Sequence, residues 1–108
     1  MRLSGEEAKA VYWHQDLPPL DAEVMQEHVI EATSGRVPGV IERHGDLWQH
    51  CYVVLMETAR LRLEQEIIRL GGHYARVTDE HIEIKHDDAK GEGWLHGQFN
   101  YVLYRRAS

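Results

Sequence analysis

Residues 86–97, HDDAKGEGWLHG, hold the densest set of side chains able to do chemistry. Two carboxylates follow His86 directly, and His96 lies ten residues on. If the glycine-rich stretch closes symmetrically between two antiparallel strands, Lys85 pairs with Trp94, Glu83 faces His96 and His81 faces Gln98. His81, Glu83 and His96 then share one face of a sheet. Two imidazoles and one carboxylate are a donor set suited to a divalent transition metal such as zinc. His86 is five residues from His81, and an odd separation puts side chains on opposite faces of a straight strand. It joins the set, with Asp87 as an alternative carboxylate, only if the strand ends before it. A solvated Glu–His cross-strand pair accounts for the same residues with no cofactor at all.

Other constellations fail on spacing. Asp87, Asp88 and Glu92 do not follow the alternating acids, Gly at six and Glu at twelve of a calcium loop. His50 and Cys51 are neighbours on a helical stretch, so their side chains diverge by about 100° and cannot couple as thiolate and imidazolium. Cys51 reads as a buried structural cysteine. TSGRVPG lacks the Gly-Lys-Ser/Thr ending of a phosphate loop, and GEG is too short for a dinucleotide fingerprint. There is no HExxH, and no Ser–His–Asp set can be singled out. No catalytic residue is therefore assigned. Eight histidines stand out in a chain of this size, and a surface sprinkled with imidazoles is the plainest account of most of them.

These groups need elements to position them. The clearest is a helix from Leu47 to Leu70, with Asp46 as a plausible N-cap and Gly71-Gly72 as its stop. Tyr52, Met56, Ala59, Leu63, Ile67 and Leu70 recur at three and four as a buried stripe, widened by Trp48 and Leu55. Arg60, Arg62, Glu64, Gln65 and Arg69 mark a solvated side. Val53, Val54, Leu61 and Ile68 fall off the stripe, which points to a second packing surface.

Strands flank this helix. VMQEHVIEAT (24–33) reads as extended despite imperfect alternation, and Val40 to Glu42 as a short continuation. His73 to Lys85 and Trp94 to Tyr104 read as two antiparallel strands, with His86 to Gly93 as an exposed loop between them. Residues 1–22 are the least regular. Ser4 could cap a short helix, or Val11 to His14 could form an edge strand, before Pro18-Pro19 breaks regular structure. Residues 1–22 read as an arm anchored by Tyr12 and Trp13, and 23–108 as a single α+β domain. Its sheet is mostly antiparallel, with three or four strands and one long helix packed across it.

The totals exclude several partners. With 108 residues the chain suits one domain, large enough for a modest core. A net charge of −6 disfavours nucleic acid and anionic membrane, which reward a basic face. No apolar run nears the ~18 residues that span a bilayer. MRLSGEEAKA has no apolar core of a secretory signal, and one cysteine allows no intrachain disulfide. A cytoplasmic protein is expected.

HVIEATSGRVPG (28–39), ARLRLEQEIIRLGGHYARV (59–77) and WLHGQFNYVLYR (94–105) together carry a resemblance to the YbjQ-like family of small bacterial proteins, sometimes called heavy-metal-binding domains. HVIEATSGRVPG resembles that family's opening strand and Ser-Gly turn. ARLRLEQEIIRLGGHYARV resembles its helix and following strand, with LGG in place of LGA. WLHGQFNYVLYR is similar in place to its closing strand. The resemblance implies a compact sheet-plus-helix subunit that forms rings or other homo-oligomers, and it supplies no mechanism. The expectation is a homo-oligomeric binding or interaction module without evident catalytic machinery, and the sequence names no small ligand for it. A metal-binding protein using His81, Glu83, His86 and His96 is the alternative, and a small enzyme with an inter-subunit site comes third.

Overall fold

The structure is a computed structural model that describes residues 9–41 and 45–107. Its elements run β1 (Val11–Trp13), β2 (Ala22–Thr33), β3 (Val37–Pro38), α1 (Gly45–Leu70), β4 (Tyr74–Asp87) and β5 (Glu92–Arg106). One helix lies across one face of a five-stranded, mostly antiparallel sheet of order β1-β4-β5-β2, with β3 also pairing β5. The protein is thus α+β, as its element order implied, with one strand more than expected. The possible helix start at Ser4 lies outside the described residues. No described helix is long and apolar enough to cross a membrane.

β5 is the hub, pairing with β2, β3 and β4, and its side chains alternate most cleanly. Gly93, Leu95, Gly97, Phe99, Tyr101 and Leu103 are buried, and the residues between them are more open. Period-two burial is what a strand with one covered face requires. The imperfect alternation of β2 has a cause: a bulge at Met25, where Val24 pairs Tyr104 but Gln26 pairs Leu103. One extra residue reverses the inward phase, so Ile30 and Ala32 reach the core. β4 does the same at Thr78. Ala75 and Val77 point to the helix before the bulge, and Glu80, Ile82 and Ile84 lie on that face after it.

β2 stops at Thr33, and Ser34 bridges to β3. Its N–H donates to the Leu95 carbonyl, and its hydroxyl accepts from the Leu95 N–H, both at 2.9 Å. A buried serine thus continues the ladder through the kink. The short extended piece expected at Val40 to Glu42 is found earlier, at Val37–Pro38; Glu42 lies outside the described residues.

The helix begins at Gly45, so Asp46 sits in its first turn rather than at its cap. There its charge favours the positive end of the helix dipole. The helix ends as its glycines dictate. Gly71 adopts φ 75°, Gly72 N–H donates to Ile67 O at 2.9 Å, and Gly71 N–H donates to Ile68 O at 3.3 Å. This is the paired-bond termination that a left-handed residue permits.

The buried stripe is Cys51, Leu55, Ala59, Leu63 and Ile67, a strict i,i+4 ladder. Tyr52, Met56 and Leu70, expected within the stripe, are half-buried flanks instead. Four residues turn a helix through about 400°, so such a ladder drifts about 40° per step around the axis. That drift suits a helix laid across a twisted sheet. Cys51 is fully buried, as its helical position suggested.

The opposite sheet face has a small cluster of its own. Tyr12, Tyr74 and Tyr104 are mutually buried, with Tyr12 edge-on to Tyr74 at 6.1 Å. The Arg76 Nε–H donates to the Tyr104 hydroxyl, and the Arg106 Nε–H to the Tyr74 hydroxyl. So β1, from within the expected arm, is part of the sheet edge. It pairs parallel to β4 over three residues.

Among the described residues, the Tyr101 hydroxyl is buried without a hydrogen-bond partner. Burial pushes its pKa above the ordinary tyrosine value. A hydroxyl that makes no bond adds little net stability. Tyr101→Phe should therefore leave the urea midpoint nearly unchanged or raise it, within about 1 kcal/mol. A loss beyond about 1.5 kcal/mol would mean that the hydroxyl has a partner in solution.

Candidate functional site

The hairpin register matches the symmetric closure. Lys85 stands opposite Trp94, Glu83 opposite His96 and His81 opposite Gln98. His81, Glu83 and His96 do share the face away from the helix. Each is already paired, however. His81 Nε2 lies 3.1 Å from Glu83 Oε1, Lys85 Nζ 2.8 Å from Glu83 Oε2, and His96 Nε2 2.8 Å from Glu31 Oε1. Lys85 first, then His81, holds the Glu83 carboxyl below its usual range.

β4 continues through Asp87, so His86 remains in the strand, opposite Gly93 and on the other face from His81. Asp87 pairs with Arg36 at 2.9 Å. Among the described residues, no group of three or more His, Cys, Asp or Glu side chains is placed to hold a metal ion.

The expected open loop from His86 to Gly93 is a tight turn instead. β4 and β5 run to Asp87 and Glu92, leaving residues 88–91 between them. Arg36 clamps both ends, 2.9 Å from Asp87 and 3.4 Å from Glu92, with its guanidinium 4.4 Å from the Trp94 ring centre. The chain just before β3 supplies that clamp, which composition alone did not reveal.

A different part of the surface is concave. A groove of about 700 Å³ is lined by Trp13 and His14 at the end of β1, by Glu80 of β4, and by Gln49, Tyr52, Val53, Met56, Glu57 and Arg60 of α1. Its origin is the shortness of β1. His14 takes φ 56°, a left-handed backbone that side chains rarely adopt. The turn closes with Asp16 N–H donating to Trp13 O at 3.0 Å, and Pro18-Pro19 follows. Beyond Val77, β4 therefore has no β1 beside it, and the Tyr52–Met56 flank of the helix overhangs open space.

His14 is held from three sides. Its N–H donates to Val77 O at 2.7 Å, its carbonyl accepts from Arg76 Nη1 at 2.6 Å, and its Nε2 lies 2.7 Å from Glu80 Oε1. Strained backbone held this firmly is a feature of functional sites. Trp13 is fixed edge-on against Phe99 at 6.1 Å. Trp48 stacks on Tyr52 at 5.0 Å with the rings only 10° apart. At the far side Arg60 donates to Glu57 and, at 2.7 Å, to Glu64. Glu57 first, then Glu64, raises the Arg60 guanidinium further above its ordinary value.

The sequence hid this site for two reasons. Glu80 points toward the helix face only because of the bulge at Thr78. Tyr52 and Met56 have the spacing of core residues, and only the drift of the ladder exposes them. The one visible signal was WHQDLPP, an aromatic and a histidine at a strand end just before a proline break.

No family model, no curated protein and no solved structure matches the chain.

Proposed function

We propose that the protein is a small-molecule binding module whose site is the groove between α1 and the β1–β4 edge. The observation that carries this reading is the groove itself: apolar walls of Trp13, Tyr52, Val53 and Met56 around a fixed His14–Glu80 pair. A largely apolar concavity with a few convergent polar groups is the usual form of a ligand site.

Benzyl alcohol, a neutral ring with one hydroxyl, is a suitable first probe. It should bind saturably in the millimolar range, followed by Trp fluorescence and calorimetry. Val53→Trp should weaken that binding about tenfold or more, about 1.4 kcal/mol. Val53 is a groove wall that is 57 % exposed, so the larger ring should fill the groove without disturbing the core. Equal affinity in the two proteins would remove the groove as the site.

A second reading concerns assembly. Leu61 and Ile68 on the outer helix face are 47 % and 81 % exposed, and neither the sheet nor β1 covers them. We read that face as the contact of a homo-oligomer, in a reducing compartment such as the cytoplasm. Light scattering should then give a mass well above 12.6 kDa, falling to it in Leu61→Glu/Ile68→Glu. A strict monomer at high micromolar concentration would dismiss this contact and leave the groove reading standing.

A further inference from the structure

We infer that the groove takes an organic cation, an ammonium group on an apolar, ring-sized body. This rests on the groove being the ligand site and names the chemistry of its occupant.

Charge at the groove decides the sign. Four of its lining side chains can carry charge: His14, Glu57, Arg60 and Glu80. Arg60 is the permanent cation, but its guanidinium is already shared between Glu57 and Glu64. An incoming anion would have to displace a carboxylate from it and would face Glu57, Glu64 and Glu80 together. Glu80 is in the opposite position. Its side chain is only 21 % exposed, and its ion-pair partner is the His14 imidazole, charged only when protonated. Among the described residues no Lys or Arg neutralises it. A largely covered carboxylate with no permanent counter-charge favours a cation beside it.

The apolar walls agree with that sign. Trp13 and Tyr52 line the same groove as Glu80. Indole and phenol faces attract cations through the ring quadrupole, most strongly where water is excluded. Trp48 stacked on Tyr52, and Phe99 against Trp13, hold both rings in place before a ligand arrives. Ring ordering then costs little on binding. The chain as a whole carries −6, which favours the approach of a cation at low ionic strength.

Three probes of similar size separate the possibilities: benzyltrimethylammonium, benzyl alcohol and benzoate, titrated by calorimetry at neutral pH in low salt. The cation should bind about tenfold more tightly than the alcohol, and benzoate most weakly. Added salt should shrink the cation's advantage. Glu80→Gln should cut the cation-to-alcohol ratio to about two- to threefold, and Tyr52→Leu should lower it as well. Equal affinities for the three probes would overturn the cation inference while leaving the groove as the site. Tightest binding by benzoate would overturn it by showing Arg60 available to anions. Binding of no probe would remove the groove reading and the inference with it.

Discussion

Phe99→Ala should lower unfolding stability by about 3–5 kcal/mol, the range for losing a buried aromatic ring. Phe99 is fully buried at the centre of β5. The Trp13 ring stands edge-on to it, and a Cβ on Gly97 would come within 2.7 Å of it. No small movement can refill the space it leaves, because glycine is its neighbour on that face. Domains of this size are typically stable by about 5–15 kcal/mol, so this variant should sit near the edge of folding. Val29→Ala, on the open sheet face and 54 % exposed, should cost under about 0.5 kcal/mol. Urea midpoints measure both. Similar midpoints would mean that the helix covers the other face of the sheet.

Leu63→Ala should cost about 2–5 kcal/mol, and Ile68→Ala on the outer face under about 0.5 kcal/mol in the monomer. Leu63 is fully buried in the middle of the i,i+4 ladder, whereas Ile68 is 81 % exposed. The pair fixes the rotation of the helix directly. A reversed order would turn the ladder to solvent, and the groove beside Tyr52 and Met56 would disappear with it.

Much of the architecture was legible because period and punctuation agree. Gly71-Gly72 stops the helix where its apolar pattern ends. The strong alternation of β5 sets its inward face, and a symmetric hairpin then gives the register of β4. What stayed hidden depends on single inserted residues. The bulges at Met25 and Thr78 each reverse the phase of a strand, and no composition rule places them. The chemistry followed the same division. Hairpin symmetry puts His81, Glu83 and His96 on one face, as the register bears out, but their pairing with Lys85 and Glu31 depends on side chains from outside that set. His14 and Glu80 are 66 residues apart and meet only through a parallel contact of three residues. Parallel pairing between distant segments leaves no local sequence signature.

The groove also explains why β1 is only three residues long. β1 is long enough to bury Val11 and Tyr12 and then ends, so Trp13 and His14 stand at the edge of the sheet. A longer strand would pair more of β4, at the cost of the concavity. Lys9 lies 2.6 Å from Asp16 and 4.7 Å from the Tyr12 ring centre, tying the two sides of the turn together.

The most direct measurement is the position of a bound molecule. Isotope-filtered NOEs from benzyl alcohol or benzyltrimethylammonium to the labelled protein report which protons lie in van der Waals contact with the ligand. Contacts to the Met56 methyl, the Val53 methyls and the Trp13 and Tyr52 rings are the predicted result. Contacts instead to the face carrying His81 and His96, or to Leu61 and Ile68 alone, would contradict the placement of the site in the groove.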